Sequence, residues 1–205
     1  MNKVNYDAEM KKIIDGLTER KSLFLHSCCA PCSTRCIEEL YPHFDLTVVY
    51  YNPNIDTDEE YNHRAAEQKR FLTEFAKDRP IKFIDFGHCC EDFVPVYTGR
   101  ENLKEGGERC FDCYRLRLEK AASICTPDGF FATTLTLSPL KNSDVINKIG
   151  FELAAKYGVN YLPTDFKKRG GFLRSVELSK EYDLYRQDYC GCAFSKKAKE
   201  IDNKG

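Results

Sequence analysis

The sequence predicts an α/β fold in which a mainly parallel sheet carries helices on both faces. Two observations predict it. Short β-branched or aromatic runs alternate with helical patterns over the whole chain, and no internal repeat, low-complexity tract or linker interrupts the alternation. At 205 residues the chain can bury a core without disulfide staples, so a single domain over 1–205 is expected.

Residues 5–20 read as an amphipathic helix, because Tyr6, Met10, Ile13, Ile14 and Leu17 recur at helical spacing; residues 1–20 are thus a helical extension. The first strand, 22–26, runs into a cysteine-rich turn, and a helix over 33–40 follows with Ser33 or Thr34 as its N-cap. The first cysteine group therefore sits on a strand-to-helix turn, where α/β folds place ligand sites. The second strand, 46–51, is β-branched and aromatic and ends at the turn signal Asn52-Pro53-Asn54. A long helix over 57–77 turns Tyr61, Ala65, Phe71, Leu72 and Phe75 inward. A third strand over 81–86 and an irregular stretch over 87–107 lead to a helix over 108–124, with Cys110 and Cys113 in or near its first turn. The fourth strand is 129–135, ended by Ser138-Pro139; a helix over 142–157 and a short fifth strand over 160–162 follow, and 165–205 is basic and mostly helical.

Charge is balanced overall, with 31 Lys/Arg and 32 Asp/Glu, but residues 141–205 hold 13 Lys/Arg against 9 Asp/Glu, a net of +4. That suits a polyanionic partner without establishing one, since a solvated face has the same composition. No segment offers the roughly 20 consecutive apolar residues that a bilayer crossing needs, and the polar start Met1-Asn2-Lys3-Val4 does not read as a signal peptide. A cytoplasmic protein without a membrane partner is expected. In that compartment clustered cysteines bind metal or do redox work more often than they build a disulfide framework.

Seven of the eleven cysteines fall into three tight groups: Cys28-Cys29-Ala30-Pro31-Cys32, Cys110-Phe111-Asp112-Cys113 and Cys190-Gly191-Cys192. Two thiolates from each of the first two groups would make the Cys₄ set that zinc or an iron–sulfur cluster requires. By spacing alone, Cys29 and Cys32 are the pair in the first group, since adjacent residues of a strand point to opposite sides. In the third group Gly191 gives the backbone freedom that a short, strained disulfide ring needs, which suits a redox pair. Zinc gains nothing from a neighbouring dithiol, whereas a cluster can exchange electrons with one, so the three groups together point to an oxidoreductase, with a structural zinc protein as the other reading. Cys36, Cys89, Cys90 and Cys125 read as packing residues, and His26 as either a packing histidine or a group that orients the cysteine loop.

The set His26-Ser27-Cys28-Cys29-Ala30-Pro31-Cys32, Tyr51-Asn52-Pro53-Asn54-Ile55, Gly107-Glu108-Arg109-Cys110-Phe111-Asp112-Cys113-Tyr114, Thr133-Thr134-Leu135 with Ser138-Pro139, and Tyr185-Arg186-Gln187-Asp188-Tyr189-Cys190-Gly191-Cys192 resembles, in this order, the cobalamin-independent epoxyqueuosine reductase (QueH) family. The resemblance covers 22 to about 194. It implies a doubly wound sheet like that of the nucleotide α-hydrolase (HUP-like) group, a [4Fe–4S] cluster and no cobalamin. It also implies reduction of epoxyqueuosine to queuosine at the wobble position of a tRNA, the last step of queuosine biosynthesis, supplied by an electron donor that the sequence does not identify. Carried over by position, Cys28, Cys29, Cys110 and Cys113 match the cluster ligands, and Cys190 with Cys192 matches the redox-active disulfide. Cys32 is then a thiol behind the ligands, an alternative ligand, or a ligand to an additional iron.

By residue type, Asp165, Tyr189 and Lys141 are candidate proton donors for the epoxide oxygen. Lys167-Lys168-Arg169-Gly170-Gly171 with Arg174 forms the best basic loop for RNA, and Tyr182, Tyr185 and Tyr189 are candidate stacking platforms. Two other functions compete. A tRNA-thiolating, nucleotide-activating enzyme of the same fold would put a Gly/Ser-rich phosphate loop where this chain has three cysteines and a proline. A zinc-stabilised RNA-binding module would leave Cys190 and Cys192 without a task.

Overall fold

The structure is a computed structural model that describes residues 4–202. Five strands, β1 (Lys21–His26), β2 (Phe44–Tyr50), β3 (Lys82–Asp85), β4 (Phe130–Thr133) and β5 (Asn160–Tyr161), form one parallel sheet in the order β3-β2-β1-β4-β5. From β1 the chain steps outward through β2 to β3, then returns to lay β4 on the other side of β1. This is the doubly wound arrangement, and the reversal between β1 and β4 opens a crevice at their carboxyl ends. Among the described residues no helix is long and apolar enough to cross a membrane.

Alternate residues of each strand feed two cores. On one face Leu23, Leu25, Leu46, Val48 and Ala132 pack with Met10 and Ile14 of α1 (Tyr6–Asp15), Ile37 and Leu40 of α2 (Ala30–Leu40), and Phe71 and Leu72 of α3 (Asp58–Phe75). On the other, Val49, Phe131 and Tyr161 pack with Tyr114 and Leu118 of α5 (Glu108–Ser123) and Ile146, Ile149 and Leu153 of α6 (Ser143–Tyr157). Each fully buried side chain of this size contributes roughly 1.5–3 kcal/mol, so the two cores fix the strand ends that carry the site.

Caps set the helix starts. The side chains of Asn5, Thr57 and Asn142 accept backbone N–H groups of the first turns of α1, α3 and α6. At α2 the structure departs from the sequence expectation. The helix begins at Ala30 with Cys29 as N-cap, three residues before the expected start, because Pro31 fits a first turn in which its missing N–H costs nothing. Ser33 and Thr34 are therefore not caps; their hydroxyls turn back onto the carbonyls of Ala30 (2.9 Å) and Pro31 (3.0 Å) inside the helix.

Other boundaries shift less. α1 ends at Asp15 instead of reaching residue 20, and β4 gives way after Thr133 to a 3₁₀ turn, Thr134–Leu137. The stretch expected to be irregular contains a 3₁₀ turn, Cys90–Phe93, and the short α4 (Val94–Tyr97). The basic C-terminal segment holds α7 (Gly171–Glu181) and α8 (Ala193–Asp202). The ends of the two expected terminal segments, 1–3 and 203–205, lie outside the described residues.

Candidate active site

The carboxyl end of β1 is pinned by its last residue. His26 is buried, and its Nε2 lies 3.3 Å from the carbonyl of Tyr51, which can only accept, so Nε2 carries the proton; Nδ1 then accepts from the Thr133 hydroxyl at 2.9 Å. Burial, with the nearby Arg117 guanidinium, pushes the imidazole pKa down to about 3, so it stays neutral. His26 thus fastens β1 to the end of β4 and to the chain leaving β2, two residues before the cysteines begin.

From there a buried polar chain shapes the loop. Ser27 Oγ donates to Gln68 Oε1 (2.6 Å), Gln68 Nε2 donates to Ser33 Oγ (2.9 Å), and Asn52 Nδ2 donates to the Ser27 carbonyl (2.9 Å). Cys28 donates its N–H to Thr134 Oγ1 (3.4 Å), and its Sγ lies 3.6 Å from the same hydroxyl. Held this way, Cys28 and Cys29 do not diverge as strand neighbours would. Their sulfurs are 3.8 Å apart, and Cys32, in the first turn of α2, joins them in a trio whose sulfurs all lie within 4.8 Å of one another.

Three thiols this close do not titrate independently. The Cys28 pKa is held well below the ordinary thiol value, first by hydrogen bonds from Cys29 and Cys32, then by the charges of Lys141 and Arg117, against the cost of burial. Cys29 is pushed up to about 12, and Cys32 is pushed up too, chiefly because each donates to Cys28. The trio carries one negative charge readily and resists a second. A cation bound among the sulfurs would remove that resistance.

Positive charge surrounds them. Arg64 of α3 and Arg117 of α5 are 2% and 1% exposed. Among the described residues Arg117 has no carboxylate partner: Nη2 donates to Asn52 Oδ1 (2.8 Å), Nη1 lies 3.9 Å from Cys113 Sγ, and the buried Nε has no hydrogen-bond partner there. Burial works against the charge on Arg117 and on Lys141, yet the cysteine sulfurs of Cys113, Cys190 and Cys28 around Arg117, and of Cys190, Cys28 and Cys32 around Lys141, favour the cations and keep both pKa values above their usual range.

The third cysteine group folds back against the first. The Gly191 carbonyl accepts from the Asp56 N–H (2.9 Å), Arg64 Nη1 reaches the Cys190 carbonyl (3.4 Å), and the Arg64 guanidinium lies over the Tyr189 ring at 5.1 Å. Gly191 has φ +113°, and a Cβ there would come within 3.1 Å of Arg64 Nη1 and 3.2 Å of Ile55 Cγ1, so the loop needs glycine at this position. Cys190 N–H donates to Ser195 Oγ, and Ser195 N–H donates to Cys192 Sγ at 3.4 Å. The outcome is one cavity of about 540 Å³ at the switch point, with Cys28, Cys29, Cys32, Cys110 and Cys190 on its wall together with Arg64, Arg117 and Lys141.

The profile of one protein family, described as epoxyqueuosine reductase QueH, matches residues 23–198, from β1 through the cysteine groups into α8. The chain belongs to the QueH family. Curated relatives bear the same name: a protein of Streptococcus pyogenes serotype M1 is 42% identical over 207 residues, covering 98% of this chain and 81% of that protein. One of Staphylococcus aureus is 40% identical over 98% of this chain and 88% of its own length, and one of Thermotoga maritima is 34% identical over 85% and 90%. By family, then, the chain is an oxidoreductase.

Not every QueH-like position lands on the cavity wall. Cys113 is buried behind it on α5, beside Arg117, with its thiol pushed up to about 11 by burial. Cys192 is half-buried next to Cys190, and burial together with the Cys190 charge raises it to about 12. Of the candidate proton donors, Lys141 and Tyr189 line the cavity; Asp165 does not, and its carboxylate is taken by Lys167. The basic loop is largely spent inside the molecule. Arg169 pairs with Asp7 and Glu39 at 3.0 Å each, and Arg174 with Glu38 at 2.7 Å, so these arginines tie α7 and the loop before it to α1 and α2 instead of standing free for phosphate. Tyr182 packs edge-on against Phe71.

Two residues that hold the site escaped sequence reasoning, Arg64 and Arg117. Each had a positional signal: Arg64 follows Tyr61 by three and precedes Gln68 by four, on the inward face of α3, and Arg117 follows Cys113 by four on α5.

Proposed function

We propose that this protein reduces epoxyqueuosine to queuosine in tRNA, in the cytoplasm, with Cys190 and Cys192 as the immediate two-electron donor and a [4Fe–4S] cluster held by Cys28, Cys29, Cys110 and Cys113. The observation that carries the proposal is the cavity at the switch point, where thiols from three separate stretches of chain meet three cations that, among the described residues, pair with a single carboxylate, Glu60 on Arg64. A cluster fits this donor set. Soft thiolates are its ligands, a Cys₄ set is what it takes, and its negative charge together with that of its thiolates answers the buried Arg117. When bound, such a cluster supplies one-electron transfer to or from a neighbouring dithiol.

The chain's own groups then divide the work. Two thiols give up two electrons and two protons and become a disulfide; the epoxide loses its oxygen, both C–O bonds break, a C=C bond forms, and the oxygen leaves as water. An external reductant must reopen the disulfide, which its one-residue ring keeps comparatively oxidising and easy to reduce. As the oxygen leaves it develops negative charge, and Lys141, held protonated on the cavity wall, is placed to stabilise it, with Tyr189 as the second proton-bearing group there. Arg186 and Lys199, which also line the cavity, supply positive charge for the phosphates of an RNA loop. In this division of work Cys32 is the spare thiol of the trio.

Anaerobic purification followed by iron, sulfide and zinc analysis tests the proposal. The expected result is about four iron and four sulfide per chain with visible charge-transfer absorption. Zinc without sulfide would overturn it in favour of a binding module.

A further inference from the structure

Resting on that function, we infer that Gln187 and Phe172 form the slot that holds the substrate nucleobase, Gln187 by accepting a hydrogen bond from its edge and Phe172 by stacking on its face. Both side chains line the cavity that holds the cysteines, and neither has a task in the cysteine chemistry.

Gln187 stands three residues before Cys190, and its Oε1 is buried with no hydrogen-bond partner among the described residues. A buried carbonyl left unpaired costs about 1–3 kcal/mol, and folded chains rarely carry that cost without a use. Gln187 lines the reaction cavity with other atoms, and a turn of its side chain would present this covered oxygen to an N–H or O–H donor that arrives with the ligand. A purine-like base offers such donors on its edge.

Phe172 presents the complementary feature. It is 41% exposed although it lines the cavity, and Leu140, which also lines the cavity, is 81% exposed. Apolar side chains left open at the rim of an otherwise cationic cavity suit a flat, unstacked base, which hides its faces while its phosphates stay outside. The backbone fixes Phe172 in place. Gly170 takes the left-handed conformation at φ +71°, and Gly171 packs so tightly on the Phe166 carbonyl that a Cβ would come within 1.8 Å of the oxygen, so α7 has one entry geometry and Phe172 follows from it. Arg186 and Lys199 also line the cavity and offer positive charge to the flanking backbone of a splayed loop.

The test uses the intact, cluster-loaded protein and a synthetic anticodon stem–loop carrying epoxyqueuosine, with Gln187→Met, Phe172→Ala and, as a control away from the cavity, Phe151→Ala. Binding is read by fluorescence anisotropy and turnover by nucleoside chromatography, while visible absorption and thermal unfolding report on folding. We expect Gln187→Met to weaken binding about fivefold or more and Phe172→Ala about tenfold, as loss of one hydrogen bond and one stack implies. KM should rise by similar factors with kcat little changed, and Phe151→Ala should match the wild type. Equal affinity and KM in all four proteins would overturn the inference, as would a wild type that does not bind the stem–loop. A wild type that binds without converting the base, and whose binding falls in the two variants, would sustain the slot and instead overturn the reductase function.

Discussion

Cys190→Ser combined with Cys192→Ser abolishes conversion of epoxyqueuosine and leaves the visible absorption of the protein intact. Both electrons of the proposed reaction come from this pair, and neither thiol can form the disulfide alone. Each single variant should therefore be as inactive as the double one, the non-additivity expected of groups that act as a unit. Retained absorption follows from position. The loop is held by backbone and side-chain contacts to Asp56, Arg64 and Ser195, none of which uses a cysteine side chain of the first two groups. Activity measured by nucleoside chromatography, with a spectrum of each variant, checks this. Loss of the absorption in the double variant would place these two cysteines among the metal ligands instead.

Arg117→Met should act in opposite directions on the stripped and the loaded protein. Without metal, Arg117 is a buried cation facing thiols that resist ionising more than once. Removing it relieves a desolvation cost of several kcal/mol. It also leaves Asn52 Oδ1 without its donor, at about 1–3 kcal/mol. The stripped variant should therefore unfold near, or above, the wild-type temperature. With an anionic cluster in place the same change removes a counter-charge worth on the order of 3 kcal/mol at about 5 Å and an effective dielectric of 20. Iron should then be lost to a chelator roughly a hundredfold more readily. Thermal unfolding of both forms, with chelator competition, decides it. Equal destabilisation of the two forms would make Arg117 a packing residue.

Much of the fold was legible because its signals are local. Strands such as Leu46-Thr47-Val48-Val49-Tyr50 declare themselves by residue type, and alternation with helices then leaves few topologies besides a parallel sheet. The cysteine groups were legible for the same reason, since thiolate chemistry shows in spacing. What the sequence hid were partnerships over long distances. Arg169 and Arg174 read as part of a free basic loop until Asp7, Glu38 and Glu39, more than 120 positions away, proved to neutralise them. Arg64 and Arg117 went unnoticed in the sequence, because only the sheet order brings α3 and α5 against the ends of β1 and β2. Even the start of α2 turned on one residue. Pro31 draws the helix forward, so Cys32 lies in its first turn and faces Cys28 and Cys29, where spacing alone had paired Cys29 with Cys32.

Electron transfer from the Cys190/Cys192 dithiol to the substrate is best tested in a single turnover. The fully reduced, cluster-loaded protein is mixed anaerobically with excess epoxyqueuosine stem–loop and no reductant, then quenched with a thiol-alkylating reagent and mapped by mass spectrometry. The expected result is one queuosine formed for each Cys190–Cys192 disulfide, with the remaining cysteines unchanged. Queuosine formed while Cys190 and Cys192 remain free thiols would contradict the account.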